Sequence, residues 1–290
     1  MTPQPTLART RAIILAAGLG TRMKSQLPKV LHPICGRPMI DYVLDAAEAA
    51  SGSRPLVVWS PPVAAVQDAV AARADTAEQA RPLGTGHALA AGLAGLSADA
   101  AGPGPDLAEQ LLVLSGDVPL VDVDLLDALL AAHADAGAAV SLISVITTEP
   151  GRLGRVIRDD EGLIERIVEA RDATDDELEI DELNSGLYVF DGAWVRARIG
   201  DLVPSAVSGE LYVTDLVALA RADGRPIGSI EVGDDGSLDG INDRAQLAQA
   251  TFAMQARINQ RHLLAGVTML DPTTAYVDAG VILEADVTLE

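Results

Sequence analysis

The sequence predicts an α/β protein built on a Rossmann-like, doubly wound, mostly parallel sheet. Three observations carry that expectation. Short apolar runs (Ile13-Ile14-Leu15, Leu56-Val57-Val58-Trp59 and Leu111-Leu112-Val113-Leu114) have the near-continuous hydrophobicity of parallel strands buried on both faces. Segments of helical period stand between them, and a βαβα order closes into a parallel sheet. The chain has 290 residues and 49% hydrophobic content, enough to bury such a sheet in one large domain, or one plus a fragment.

Taken in order, Met1 to Thr10 is rich in Pro and Thr, lacks the apolar centre of a signal peptide and reads as a loose tail. The main domain is expected over 11–243. Ala12-Ile13-Ile14-Leu15 is its first buried strand. A helix is expected from Pro38, whose fixed φ suits a first turn, with Ile40, Val43, Leu44 and Ala47 on one face. Leu56–Trp59 is the second strand. Val63–Ala74 and Thr85–Leu96 are Ala-rich and helical in period, and Leu111–Leu114 is the third strand.

The middle changes character. Ala139–Thr147 is strand-like. Val156-Ile157-Arg158 and Leu163–Val168 flank Asp159-Asp160-Glu161-Gly162 and read as a hairpin. Asn184–Phe190 is a further strand. Such a β-rich insertion would supply a second wall for a cleft. The acidic run Asp172–Glu182 reads as a solvated loop or short helix.

Leu211–Ala222 and Arg244–Leu264 read as helices separated by the Gly/Asp-rich Gly233–Gly240, and the second would be a linker helix over 244–264. In 265–290, Val281 and Val287 stand six apart beside Ile282, Leu283 and Leu289. That spacing resembles the opening of a hexapeptide-repeat β-helix. A solenoid needs several coils to bury its core, so a frayed tail or edge strand fits the residues as well.

Composition narrows the function. A net charge of −21 and the lack of a basic stripe interleaved with aromatics argue against nucleic acid as partner. No apolar run approaches the ~20 residues of a membrane span. The single cysteine, Cys35, excludes an intrachain disulfide and any multi-cysteine metal cage, and a reducing cytoplasm fits. An anionic substrate approaching so acidic a chain needs locally placed cations or a metal.

The stretch Leu15-Ala16-Ala17-Gly18-Leu19-Gly20-Thr21-Arg22-Met23-Lys24-Ser25-Gln26-Leu27-Pro28-Lys29 supplies them. It follows the first strand, where ligands bind in doubly wound folds. Its small residues let backbone N–H groups approach an anion, and Arg22 and Lys29 add two positive charges. Together these suit a nucleoside triphosphate or another polyphosphate. The spacing excludes a P-loop, because Thr21-Arg22 follows Gly20 where Lys-Ser or Lys-Thr is required. It also excludes the dinucleotide fingerprint, because Met23 stands where a third small residue is needed. A plain strand-to-helix turn explains the glycines alone, but not the added cations.

Two further residues have alternative readings. Asp117, in Leu114-Ser115-Gly116-Asp117-Val118-Pro119-Leu120, ends a buried strand beside the phosphate loop and is well placed to hold Mg²⁺; it also suits a turn or a cap. Asn242, in Asp239-Gly240-Ile241-Asn242-Asp243, reads from its neighbours as the N-cap of the 244–264 helix.

The Leu15–Lys29 segment resembles the signature of sugar-nucleotide pyrophosphorylases. Leu27-Pro28-Lys29-Val30-Leu31-His32 is most similar to the uridyltransferase half of the bacterial bifunctional enzymes that make UDP-N-acetylglucosamine. The resemblance runs through most of the chain and implies a nucleotide-diphospho-sugar transferase fold followed by a left-handed β-helix. In those enzymes the β-helix carries acetyltransfer and trimerisation, so a chain with only its first coil is expected to lack acetyltransfer and to be monomeric.

The resemblance also implies the site. The 15–18 loop (Leu15, Ala16, Ala17, Gly18) and Lys29 would hold UTP, with Arg22 and Lys29 as the catalytic cations. Asp117 and Asn242 would be the Mg²⁺ ligands. Gln79, Gly84 and Thr85, in and before Leu83-Gly84-Thr85-Gly86-His87-Ala88, would read uracil, because an amide can both donate to and accept from its edge. Ser115 and Gly116 would line the nucleotide. An aromatic is usual where Ser115 stands, and a glutamine where Pro82 stands.

Gly154, Glu169 and Asn184 would hold the N-acetylglucosamine moiety, supported by Glu210, Tyr212 and Asp215. His87 reads as structural, since this chemistry needs no histidine base. The implied reaction joins UTP and N-acetylglucosamine 1-phosphate to give UDP-N-acetylglucosamine and pyrophosphate. The rivals are a relative with another sugar or base, and a non-catalytic nucleotide-sensing relative.

Overall fold

The computed structural model describes residues 9–98, 110–148 and 150–290. The expected tail over 1–10 falls almost wholly outside them. The strands are β1 (Thr10–Leu15), β2 (Pro33–Ile34), β3 (Arg37–Pro38), β4 (Leu56–Trp59), β5 (Asp75–Glu78), β6 (Gln110–Ser115), β7 (Val140–Ile146), β8 (Arg155–Arg158), β9 (Ile164–Val168), β10 (Glu182–Asp191), β11 (Ile227–Gly233), β12 (Thr268–Met269) and β13 (Thr288–Leu289). The α-helices are α1 (Met39–Ser51), α2 (Ala65–Val70), α3 (Thr85–Ala98), α4 (Val123–Ala136), α5 (Asp175–Leu178), α6 (Gly192–Arg198), α7 (Asp215–Ala222) and α8 (Arg244–Leu264).

The central sheet runs β11-β7-β10-β6-β1-β4-β5. Every neighbouring pair along it is parallel except those made by β10, which is antiparallel to β6 and β7. The hairpin β8–β9 attaches to β10. The expected mostly parallel α/β sheet is the one observed. Alternation along β1 shows why it is doubly wound: Ala12 and Ile14 belong to a core shared with α1, α2, α4 and α8, whereas Ile13 belongs to a second core shared with α3, α6 and α7. Apolar side chains on both faces of each central strand demand helices on both sides.

Several boundaries differ from expectation. The Val63–Ala74 helix shortens to Ala65–Val70 because Arg54 draws off the carbonyls of Ala71, Ala72 and Ala74 at 2.8–3.1 Å, and the chain turns into β5. The Leu211–Ala222 helix begins only at Asp215. Leu211 stays outside the helix, donating its N–H to Leu83 O and accepting from Gly86 N, both at 2.8 Å. Glu182, assigned to a solvated run, is buried and paired by both oxygens to Arg158 at 2.7 Å. A short helix does form in that run, opened by a Thr174–Glu177 capping box.

Strands β5 and β11 and helix α4 carry no expectation above. Both strands end the sheet, and an edge strand needs little continuous hydrophobicity. The segment after α8 forms a single parallel rung, β12 with β13. Val281 and Ile282, two of the residues that suggested a solenoid, are exposed, while Val267, Met269 and Val277 are buried.

Candidate active site

The loop after β1 continues along the strand before it turns. Ala16 donates its N–H to Val58 O at 2.9 Å, and the hydroxyl of buried Ser60 donates to Ala17 O at 2.7 Å. Nothing lies within 4 Å of the position a Gly18 Cβ would take, so backbone there is open to close approach. Gly20 sits at φ 60°, and a Cβ on it would come 2.6 Å from Lys29 Cβ. The glycine is therefore what lets the Lys29 stem lie against this loop.

Met23, buried in the 3-10 turn Thr21–Met23, anchors the segment. Arg244 at the start of α8 donates to Met23 O at 3.2 Å and lies 3.4 Å from His32 Nδ1. Burial first, and Arg244 second, hold His32 below its usual protonation range. Arg22 is exposed and has no hydrogen-bonding or ionic partner among the described residues.

Lys29, Asp117 and Asn242 converge. The Lys29 ammonium donates to Asp117 Oδ2 and, at 2.9 Å, to Asn242 Oδ1. Backbone joins the two loops, with Ile241 N–H donating to Asp117 O at 2.9 Å. Asn242 is not the helix N-cap. Asp243 is, accepting from Ala245 and Gln246 N–H at 2.9 Å each. Asn242 instead donates its amide to Gly240 O at 2.9 Å, which aims Oδ1 at Lys29.

A carboxylate and an amide oxygen already bound to one cation are a hard-oxygen pair of the kind Mg²⁺ takes, with phosphates and water completing its shell. No cluster of three or more His, Cys, Asp or Glu suited to a metal occurs among the described residues.

Gln79 is buried. Its Nε2 donates to Gly84 O at 3.0 Å and lies 3.1 Å from His87 Nδ1. Gly84 O can only accept, so the amide orientation is fixed, and Oε1 is left without a partner among the described residues. Gly84 (φ 105°) is pressed against Leu211, where a Cβ would meet the carbonyl oxygen at 2.4 Å. Thr85 Oγ1 accepts from Val213 N–H at 3.0 Å. The 209–214 segment thus clamps the 83–86 loop, a coupling the sequence did not announce.

Gly116 N–H donates to Leu15 O at 2.9 Å, tying the ends of β6 and β1 together, and Ser115 Oγ faces Gly186. Glu169 accepts from Thr214 Oγ1 at 3.0 Å, and burial, with Asp215, Asp172 and Glu210 nearby, raises its pKa. Asn184 is buried, donating to Tyr188 Oη at 2.6 Å and accepting from Gly186 N–H at 3.3 Å. Gly154 O accepts Asn184 N–H at 2.9 Å, and the Gly154 Cα faces Ile167.

A cleft of about 480 Å³ brings together the 15–22 loop, Lys29, Gln79, Gly84, Thr85, Ser115, Asp117 and Asn242. An adjoining space of about 520 Å³, sharing Arg22, Arg171 and Glu210 with it, is lined by Glu169, Arg152 and Tyr212. Gly154 and Asn184 are buried and line neither space. Arg152, Arg171, Ser60 and Thr214 were not singled out from sequence. The first two are isolated arginines in loops and the others unremarkable hydroxyls, so only their placement marks them.

The model of the MobA-like NTP transferase domain matches residues 12–175. The chain is 42% identical over 95% of its length to the "Bifunctional protein GlmU" of Pelobacter propionicus, and 39% identical over 96% to that of Mycobacterium bovis. It is 37% identical over 96% to the protein of the same name from Lactobacillus delbrueckii. The chain spans 58%, 56% and 59% of the length of these relatives, respectively.

Proposed function

Because the chain belongs to the family of MobA-like NTP transferase domains, and is on that ground a nucleotidyltransferase, we propose that its cleft joins UTP to N-acetylglucosamine 1-phosphate, releasing pyrophosphate. The product, UDP-N-acetylglucosamine, would feed cell-envelope precursor synthesis in the cytoplasm; no helix among the described residues is long and apolar enough to cross a membrane. One observation carries the reading. Lys29, Asp117 and Asn242 meet in the wall of the same cleft that the 15–18 loop, unpaired Arg22 and Gln79 line. The choice of UTP and of this sugar phosphate is supported by the relatives named GlmU and by the Leu27–His32 and Leu83–Ala88 segments.

The nucleophile is a phosphate oxygen of the sugar phosphate, already anionic at neutral pH. It forms a bond to the α-phosphorus of UTP as the bond from that phosphorus to the departing pyrophosphate breaks. No proton need be removed, so the protein's contribution is positioning and charge neutralisation. Arg22 and the backbone N–H groups around Gly18 hold the departing phosphates. Lys29 offsets charge near the reacting phosphorus. Gln79 Oε1 accepts N3–H of uracil; cytosine presents a bare acceptor there and is repelled. Glu169, steadied by Thr214, faces the sugar.

A magnesium ion held by Asp117 and Asn242 would neutralise the phosphates and polarise their oxygens. The test is pyrophosphate release across UTP, CTP, dTTP and GTP, each with a panel of sugar 1-phosphates. UTP with N-acetylglucosamine 1-phosphate should give the highest kcat/KM. A different preferred pair would favour the related-transferase rival, and nucleotide binding without turnover of any pair the non-catalytic one.

A further inference from the structure

The Lys29 side chain is 13% exposed and its partner Asp117 18%. The ammonium therefore satisfies, largely out of water, the two oxygens that the proposed function gives to a divalent ion. From this we infer that Lys29 has two seats. Before a divalent ion binds, its ammonium occupies the cation position between Asp117 and Asn242; when the ion arrives with a nucleotide, the ammonium moves to the substrate phosphates. The inference rests on the reading of Asp117 and Asn242 as metal ligands.

The physical case is one of paired charges. An ion arriving alone would have to displace an ammonium into a partly buried place with no counter-charge, and leaving a partly buried charge unpaired is costly. An ion arriving with a polyphosphate brings anionic oxygens that give the displaced ammonium a new partner. The metal alone should bind weakly, and metal and nucleotide should bind together.

The local build permits the move. Contact with Gly20 fixes the Lys29 stem at Cβ, while the atoms beyond it are a flexible chain ending in a compact charge with three donors. A planar guanidinium suits such an exchange less well. Of the 21 Lys and Arg in the chain, only Lys24 and Lys29 are lysines, and the former is exposed.

That scarcity supplies the probe. The 290-residue protein labelled with ¹³Cε-lysine should give two ε-methylene signals, assigned by loss of the Lys24 signal in Lys24→Arg. In metal-free protein, Asp117→Asn should shift the Lys29 signal towards that of exposed Lys24. Mg²⁺ with UTP should shift it in the wild type, and Mg²⁺ alone at the same concentration should not. Mn²⁺ alone, followed by titration calorimetry, should bind Lys29→Met and Lys29→Gln about tenfold more tightly than wild type, about 1.4 kcal/mol.

A Lys29 signal indifferent to both Asp117→Asn and Mg²⁺ with UTP would overturn the inference, and that arm stands even if neither Lys29 variant folds. Unchanged or weaker Mn²⁺ binding by folded variants would overturn it too. Failure of the proposed function is separable. Lysine signals and Mn²⁺ affinities as expected, with no pyrophosphate released from any substrate pair, would leave the exchange standing and sink the uridyltransferase reading.

Discussion

Replacing Gly84 with Ala tests the clamp on the 83–86 loop. The residue sits at φ 105°, and its missing Cβ would fall 2.4 Å from Leu211 O and 2.8 Å from Leu211 N. These are backbone atoms, so no side-chain rotation relieves the overlap. The left-handed conformation alone costs an L-residue about 1–2 kcal/mol. Moving Leu211 away breaks the bonds Leu211 N to Leu83 O and Gly86 N to Leu211 O, both 2.8 Å. Each is worth about 1 kcal/mol net.

The sum is a loss of about 3–4 kcal/mol. Gly162→Ala is the matched control: φ is 80°, but nothing lies within 4 Å of the added methyl, so only the conformational cost of about 1–2 kcal/mol applies. Urea unfolding of the three proteins measures both, with the slope checked for constancy. In the same preparations KM for UTP should rise more than KM for the sugar phosphate, because the displaced loop carries the contact to Gln79. Equal destabilisation by the two alanines would refute the close approach.

Four other outcomes follow from the site and the fold. Arg22→Ala should lower turnover by about 10²–10³-fold with an unchanged unfolding midpoint, since Arg22 has no partner among the described residues; a destabilised variant would give it a structural role instead. Asp117→Ala should lower pyrophosphate release by orders of magnitude with the fold retained by circular dichroism, and near-normal release would sink the metal assignment. Gln79→Ala should reduce UTP-over-CTP discrimination by about tenfold, the worth of one buried hydrogen bond, measured as the ratio of kcat/KM values.

Burial pushes buried His133 down to about 4, below its usual 6.5. The unfolded chain therefore binds the extra proton first. Stability present above pH ~6.5 should fall by about 3 kcal/mol as pH drops towards 4. His133→Gln should flatten the urea midpoint between pH 7 and pH 5.

Much of this was legible in one dimension. The continuous apolarity of 12–15, 56–59 and 111–114 dictated strands buried on both faces, and an edge-to-edge match of Arg244–Leu264 with α8 shows how far periodicity reaches when a helix is long. The 15–29 stretch announced a small-residue loop carrying two cations, and Arg22 and Lys29 do line one cleft with it, because those residue types are local and chemically distinctive. Strands β5 and β11 were silent, since an edge strand asks for little hydrophobicity. The start of α7 was misplaced because a backbone partner distant in sequence, the 83–86 loop, takes both backbone hydrogen bonds of Leu211.

The roles of charged and polar groups were decided by tertiary structure. Sequence made Asn242 a helix cap; the fold gives that task to Asp243 and turns Asn242 towards Lys29. Sequence made Lys29 a phosphate contact; only three-dimensional proximity sets its ammonium between Asp117 and Asn242, 88 and 213 residues away. Hydrophobic pattern is local and repeats along the chain, so it can be read there. A charge's partner is fixed by distance in space, which the chain's order does not carry.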